Sequence, residues 1–251
     1  MQCETVLITG GARRVGRAIA LACARAGASV AITYRTSANE AWELIGELHN
    51  IGSERQRFAA FQCDVSIAAD VESLAESVLQ TFDCVTALVN NAAIFRRTPF
   101  DVLTEADFDD HIAANLKGPY LMSKRFGDIF LAQGRGSILN IADIHGLRPL
   151  KNYVPYCVSK AGVVMLTEAL AKALAPTVRV NCICPGTILL PSEAQGEDDG
   201  ESADDEATLL ARIPMQRLGT PEEIAEAALF LLNAQFITGA ILPVDGAQRL
   251  K

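Results

Sequence analysis

Short apolar runs rich in Val, Ile and Leu alternate along the chain with longer stretches whose apolar positions recur every three to four residues. Continuous apolar runs indicate strands covered on both faces, whereas a 3.6-residue period indicates helices that bury one side. The predicted strands cover residues 5–9, 28–34, 57–63, 85–90, 136–143, 177–184 and 240–244. The predicted helices include residues 15–26, 38–50, 68–81, 107–131, 154–175 and a shorter segment around 207–212.

This alternation predicts an α/β fold, a single doubly wound parallel seven-stranded sheet with helices on both faces, because short crossovers between parallel strands are right-handed. No repeat or linker divides the 251 residues, so we expect one domain over 1–251, with a substrate lid at about 188–213. No apolar run reaches the roughly 20 residues of a membrane span, and the first strand begins near the initial methionine. We therefore expect a cytoplasmic protein without a membrane partner.

Charge and cysteine content remove several classes of function. The net charge is −8, but eight acids and no bases lie between Glu193 and Glu206, so the rest of the chain is neutral. A neutral body lacks the basic excess that nucleic acid binding requires. The seven cysteines are odd in number and lack zinc-site spacing, so we interpret them as buried thiols and expect no metal.

A glycine-rich turn follows the first predicted strand. Gly10, Gly11 and Gly16 stand between that strand and the helix that opens at Val15. Glycines in this context let backbone amides approach a pyrophosphate at the positive end of a helix, as in Rossmann-like folds. The alternative is an ordinary tight turn.

The segment from Thr9 to Gly16 resembles the glycine motif of classical short-chain dehydrogenases/reductases. Other matches follow in the family's order, at the ends of the third, fourth and sixth predicted strands. This resemblance implies a nicotinamide cofactor held by Gly10, Arg13, Arg14, Val15, Gly16, Asp64, Val65, Asn91, Ala92, Pro185, Gly186 and Thr187.

The end of the second strand favours NADP(H). It carries Tyr34, Arg35, Thr36 and Ser37, with no acid before Glu40. An acid at this point would bind the ribose 2′-hydroxyl of NAD, whereas arginine and hydroxyl groups suit a 2′-phosphate. Arg35 as an ordinary surface arginine is the alternative.

Tyr156 and Lys160 stand four residues apart on one predicted helix, so both side chains point from the same face. An ammonium near a phenol favours the phenolate, so we expect Lys160 to lower the pKa of Tyr156. By the resemblance Tyr156 is the proton donor, Lys160 also holds the nicotinamide ribose, and Asn115 supports a proton relay. Asn115 as a helix-packing amide is the alternative.

Asp143 occupies the place of the family's serine, thirteen residues before Tyr156. A carboxylate there would repel the oxyanion that develops during carbonyl reduction. A shielded carboxyl group could instead pass a proton, through the tyrosine, to a ring nitrogen after hydride addition to C=N. The alternatives are an N-cap or an ion pair with Arg148.

An aspartate at this position resembles the pteridine reductase subgroup. The resemblance implies that Arg14, Phe95 and Tyr153 line the substrate site with Asp143 and Tyr156, and that Phe95 stacks on the pterin. Core packing for Phe95 and a helix-start position for Tyr153 remain as alternatives.

The predicted activity is NADPH-dependent reduction of a pteridine-type substrate, a dihydropterin or dihydrofolate. The alternative is a short-chain carbonyl reductase acting on a 3-oxoacyl thioester or a sugar ketone. A cofactor-binding regulator without catalysis is the third interpretation. The resemblance also implies a homotetramer.

Overall fold

Seven strands and eight α-helices make up the part of the chain that the computed structural model describes, residues 5–188 and 206–251. The strands are β1 (Thr5–Ile8), β2 (Ser29–Tyr34), β3 (Phe58–Gln62), β4 (Ala87–Asn90), β5 (Gly136–Ile141), β6 (Val178–Pro185) and β7 (Ile241–Val244). The helices are α1 (Arg14–Arg25), α2 (Ala38–Ile51), α3 (Ala68–Thr81), α4 (Glu105–Ile112), α5 (Gly118–Gln133), α6 (Val154–Leu174), α7 (Glu206–Ala211) and α8 (Pro221–Asn233).

The strands form one parallel sheet in the order β3-β2-β1-β4-β5-β6-β7, which confirms the predicted fold. In register, Ile8 of β1 lies between Ile32 of β2 and Val89 of β4. The strand order changes direction at β1 and β4, and ligands of open α/β sheets bind beyond the carboxyl ends of strands at such a switch point.

Apolar side chains fill both sides of the sheet. Within β1, Val6 and Ile8 join a core cluster with α1, α2 and α8, whereas Leu7 joins the opposite cluster with α3 and α5. All four β1 residues are buried, as expected for a strand covered on both faces.

The helix predicted over 107–131 is interrupted. α4 continues into a π-helical turn, Ala113–Lys117, before α5 begins. There the Gly118 N–H donates to the carbonyl of Ala113, five residues earlier, so one extra residue is accommodated in the turn. A 3.6-residue pattern does not reveal such an insertion.

The helical patterns identified from the sequence do not include α8. It begins with a capping box, in which the Thr220 side chain accepts from the Glu223 N–H and the Glu223 side chain accepts from the Thr220 N–H. Thr followed three residues later by Glu before an apolar run is a sequence signal for a helix start. α8 packs against α1 and completes one face of the sheet.

The remaining structural expectations have mixed outcomes. Cys23, Cys63, Cys157, Cys182 and Cys184 are buried as predicted, Cys84 is half-buried, and Cys3 lies outside the described residues. The predicted lid and the acidic stretch lie mostly outside them, at 189–205. No helix within 5–188 or 206–251 has the length and apolar content needed to cross a membrane.

Candidate active site

The predicted site residues lie on the glycine turn, on loops after β2 to β6, and at the start of α6. Because the strands are parallel, these loops share the carboxyl edge of the sheet. Hydrogen bonds and ring contacts connect several of these residues directly.

The glycine turn and the loop after β4 form a close cradle. The Thr9 hydroxyl accepts from the N–H groups of Asn91 (2.9 Å) and Ala92 (3.0 Å), which joins the two loops. The Asn91 side chain donates to the carbonyl oxygens of Thr9 and Gly10, both at 3.0 Å.

Glycine is required at two positions in this cradle. Gly10 has φ of +60°, and a Cβ there would lie 2.9 Å from the Ala92 Cα. A Cβ on Gly16 would lie 2.4 Å from the Gly10 carbonyl oxygen. Arg14 begins α1 with φ of +52°, a conformation that costs a non-glycine residue about 1–2 kcal/mol. A strained turn at a helix start, with glycine at its two closest contacts, fits a dinucleotide phosphate.

Two arginine–acid pairs lie near the glycine turn and the carboxyl ends of β2 and β3. Arg35 Nη1 lies 3.8 Å from Asp64 Oδ2, and Arg13 Nη1 lies 3.4 Å from Glu40 Oε1. Burial opposes ionisation of Asp64, but hydrogen bonds from Ser66 and the Arg35 charge outweigh it and lower the pKa. Both arginine side chains remain more than half exposed, so an anionic ligand can reach them.

The central contact of the site joins Tyr156 to Asp143. The phenol donates to Asp143 Oδ2 at 2.7 Å, while Asp143 Oδ1 accepts from the His145 N–H at 2.8 Å. Asp143 thus caps the short 3₁₀ turn Ile144–Gly146 and binds the tyrosine at the same time. The suggested partner Arg148 contacts the Gln248 carbonyl oxygen instead, at 3.5 Å.

The pKa of Tyr156 is raised, which is the opposite of the direction expected from the sequence. Burial is the main cause, followed by the negative charge of Asp143 and the hydrogen bond to it. Tyr156 is only 5% exposed. The effect of Lys160 does not prevail because burial opposes ionisation of the phenol and because the phenol oxygen contacts the Asp143 carboxylate.

Lys160 is buried behind the tyrosine. Its Nζ donates to the Ile141 carbonyl oxygen at 2.9 Å and lies 5.8 Å from the centre of the Tyr156 ring. Burial lowers the pKa of Lys160, and the nearby Asp143 charge opposes this only in part. The ammonium is therefore held in the site at a cost to folding.

We expect Lys160→Met to be more stable than the parent protein at neutral pH, with the difference shrinking as the pH rises. The folded pKa of Lys160 lies below the unfolded value of 10.5, so the cost of burying the charge is complete below the folded pKa. Above about pH 10.5 the lysine is neutral in both states and that cost disappears. Urea unfolding of both proteins between pH 7 and 10 measures it, and a difference that grows with pH would contradict the prediction.

Asn115 lies in the π-helical turn and clamps the loop that carries Phe95. Its Oδ1 accepts from the Ile94 N–H at 2.8 Å, and its Nδ2 donates to the Ile94 carbonyl (2.9 Å) and to Ser159 Oγ (3.1 Å). Ser159 in turn donates to the Tyr156 carbonyl oxygen at 2.7 Å. The buried amide thus connects the loop after β4 with helix α6.

Three aromatic rings meet at the mouth of the site. Phe95 stacks on Tyr153 with ring centres 4.6 Å apart and 10° between the planes, and meets Tyr156 edge-on at 4.7 Å. Tyr153 occupies the N-cap position of α6, but its side chain makes no capping hydrogen bond there, and its ring packs on Phe95. Both rings are half-buried and present flat apolar surface.

Two contributors to this region were missed by the sequence analysis. His111 is fully buried on α4, with its ring centre 6.5 Å from that of Tyr156, and its Nε2 has no hydrogen-bond partner among the described residues. Its spacing of four residues before Asn115 was a usable signal. No spacing or motif in the sequence indicated that Gln248 contacts Thr187.

Among the remaining predicted residues, Tyr34 and Val15 pack against the core beside the glycine turn. Val65 is buried, and its side chain occupies the space next to Gly118. Thr36 and Ser37 lie between β2 and α2, and Pro185 ends β6 before Gly186.

Comparison with known proteins agrees with this architecture. A family model described as Enoyl-(Acyl carrier protein) reductase matches residues 10–247. The chain is 37% identical to D-threitol dehydrogenase of Mycolicibacterium smegmatis, over 99% of this chain and 94% of that protein. It is also 37% identical to 2-(S)-hydroxypropyl-CoM dehydrogenase 3 of Xanthobacter autotrophicus, over 97% of this chain and 95% of that protein.

A solved structure shares the fold over nearly the whole chain. It is a variant of the actinorhodin polyketide ketoreductase with NADPH, with a TM-score of 0.89 and 29% identity over 99% of this chain and 98% of that one. None of these three relatives is named as a pteridine reductase. The resemblance at the level of the whole family is thus confirmed, and the chain belongs to the short-chain dehydrogenase/reductase family of oxidoreductases.

Proposed function

We propose that this protein uses NADP(H) to reduce a pteridine-type substrate. When bound, the nicotinamide supplies the hydride. Membership of an oxidoreductase family and the close glycine cradle support a nicotinamide cofactor. The exposed guanidinium of Arg35 at the end of β2 supports the phosphorylated form.

The observation that carries the substrate class is the 2.7 Å hydrogen bond from Tyr156 to Asp143. A carboxylate at this position would destabilise the developing oxyanion of a carbonyl substrate. A ring C=N bond sets a different requirement, because hydride addition at carbon leaves a nitrogen that needs a proton. In this step Asp143 must enter as a carboxylic acid: Tyr156 gives its hydroxyl proton to the ring nitrogen and takes the Asp143 proton in its place, which leaves the carboxylate. Positioned proton transfer contributes about 10²–10⁴ in rate.

The surrounding side chains suit a flat heterocycle. Phe95 and Tyr153 offer aromatic faces beside Tyr156, and Arg14 begins α1 at the glycine turn. Lys160, fixed to the Ile141 carbonyl, holds positive charge behind the phenol and partly offsets Asp143.

The alternative is a reductase of a carbonyl, such as a sugar ketone, and the comparisons favour it over the pteridine proposal. The relatives are named as dehydrogenases of D-threitol and of 2-(S)-hydroxypropyl-CoM, and as a polyketide ketoreductase. Asn115, Tyr156 and Lys160 match three positions of the family pattern that such chemistry uses, and the fourth, the serine, is replaced by Asp143. What the alternative leaves unexplained is Asp143.

Parallel assays separate these candidates. NADPH oxidation is followed with dihydrobiopterin, dihydromonapterin and dihydrofolate, and separately with L-xylulose and a 3-oxoacyl thioester. Turnover of a dihydropterin with little turnover of the ketones supports the proposal, and the reverse pattern supports the alternative. Tight NADPH binding without turnover on either panel would indicate the catalytically inactive regulator.

We expect Arg35→Ala to raise the KM for NADPH about tenfold or more while leaving the KM for NADH nearly unchanged. A hydrogen bond to a charged group contributes about 1.5–3 kcal/mol, and only the 2′-phosphate cofactor would lose it. Arg25→Ala, at the exposed far end of α1, is the matched control. An equal loss with both cofactors would show that Arg35 does not read the 2′-phosphate.

We also propose a homotetramer. Apolar side chains are exposed along α4, α5 and α6, including Phe108, Tyr120, Val158 and Met165. An apolar surface shared by these three helices would favour association between copies of the chain. Sedimentation velocity would measure the assembly.

A further inference from the structure

The C-terminal segment binds Thr187 through a single side chain. Gln248 opens the short 3₁₀ helix Gln248–Leu250, sixty-one residues after Thr187. Its Oε1 accepts from the Thr187 N–H at 2.9 Å, and its Nε2 lies 3.0 Å from the Thr187 hydroxyl oxygen. Gln248 is only 9% exposed.

The backbone fixes which way the Gln248 amide faces. A backbone N–H can only donate, so the oxygen of the amide must face it and the NH₂ group must face the hydroxyl. The Thr187 oxygen is therefore an acceptor toward Gln248. Its own proton is left to donate in another direction.

The turn that carries Gln248 is held rigidly in place. The Asp245 carboxylate accepts from the N–H groups of Ala247 (3.0 Å) and Arg249 (2.9 Å), and Ala247 adopts φ of +67°. A Cβ on Gly186 would lie 2.8 Å from Gln248 Oε1, so the strand end is shaped to admit this side chain. The backbone on both sides of the contact is therefore arranged to hold Gln248 against Thr187.

We propose that Gln248 is a positioning residue that makes Thr187 a hydrogen-bond donor to an acceptor oxygen of NADP(H). This inference rests on the assignment of Thr187 to the cofactor site in the proposed function. Gln248 itself touches no ligand in this scheme. It acts by occupying one lone pair of the threonine hydroxyl and orienting the proton.

Two substitutions at Gln248 separate this role from simple bracing. Gln248→Glu keeps both contacts, since the carboxylate can accept from the N–H and from the hydroxyl of Thr187. The hydroxyl then donates its proton to the carboxylate and cannot donate it to the cofactor. Gln248→Met removes both contacts and leaves the hydroxyl free to donate. A bracing role predicts that Met is the more harmful change, whereas orientation of the proton predicts that Glu is.

The test is the affinity for NADP⁺, measured by isothermal titration calorimetry on the full chain at pH 7.5. We expect the dissociation constant to rise about tenfold in Gln248→Glu and only about threefold or less in Gln248→Met. In a Thr187→Val background, Gln248→Glu should change the affinity by less than about twofold, because no hydroxyl remains whose hydrogen-bond direction could change. Leu250→Glu, at an exposed position two residues away, controls for added charge.

The outcomes distinguish this inference from the proposed function. If the unsubstituted protein binds neither NADP⁺ nor NAD⁺, both are overturned. If it binds but Gln248→Glu is no weaker than Gln248→Met, or the loss persists in the Thr187→Val background, only the role of Gln248 is overturned. Thermal unfolding of each variant verifies that the compared proteins are folded.

Discussion

Asp143→Ser is expected to lower kcat for a dihydropterin by about 10²–10⁴-fold, the contribution of positioned proton transfer. Serine can still accept a hydrogen bond from Tyr156, so the phenol keeps a partner. Its hydroxyl is too weak an acid to reprotonate the Tyr156 oxygen, so the phenol proton would not be replaced after its transfer to the ring nitrogen. Steady-state NADPH oxidation with the substrate in excess measures the effect.

The same substitution discriminates between the two candidate activities. For a carbonyl reductase, serine replaces a repelling carboxylate by a hydroxyl donor, so turnover of a ketone should be preserved or improved. Asp143→Asn is the control for shape, because its Oδ1 can still cap the His145 N–H as Asp143 does at 2.8 Å. Unchanged dihydropterin turnover in Asp143→Ser would refute the assignment of the proton route.

Tyr156→Phe is expected to lower kcat by a similar factor of about 10²–10⁴ on any substrate, because both candidate mechanisms use the phenol. The ring would remain packed edge-on against Phe95, so substrate KM should change much less than kcat. Tyr120→Phe removes an exposed phenol on α5 and should leave the rate unchanged. Comparable KM and kcat losses in Tyr156→Phe would point to a disturbed site.

The raised pKa of Tyr156 gives this variant a spectroscopic signature. The buried phenol beside Asp143 stays protonated past its usual pKa of 10, so it contributes no tyrosinate absorbance in the range from pH 7 to about 10. The ultraviolet difference between parent and variant should therefore stay flat over that range. A tyrosinate signal that appears near pH 8 would show that the Lys160 charge lowers the pKa of Tyr156, contrary to this prediction.

The strands and their parallel arrangement follow from the sequence because most strands are largely apolar runs that alternate with helical patterns. Every β1 residue is buried, and the glycine turn follows it directly. The pairing of Asp143 with Tyr156 was also foreseeable, since a strand end and the next helix start converge at one edge of the sheet.

Features that depend on contacts between distant segments were not predictable in this way. Asn115 in the π-helical turn contacts Ile94, twenty-one residues earlier, and the raised pKa of Tyr156 comes mainly from its burial and then from Asp143. Gln248 meets Thr187 only because β6 and the C-terminal turn adjoin in space. Local periodicity carries no information about such pairings.

The π-helical turn lets one long helical stretch serve two neighbours that a regular helix could not serve together. Each α-helical residue advances about 100° around the axis, so one residue added to a regular helix would rotate everything after it by that amount. The wider turn Ala113–Lys117 takes up the additional residue locally, so α5 keeps Phe126 and Phe130 completely buried while Asn115 holds Ile94. A one-residue deletion in this turn would therefore act first on the contact between Asn115 and Ile94.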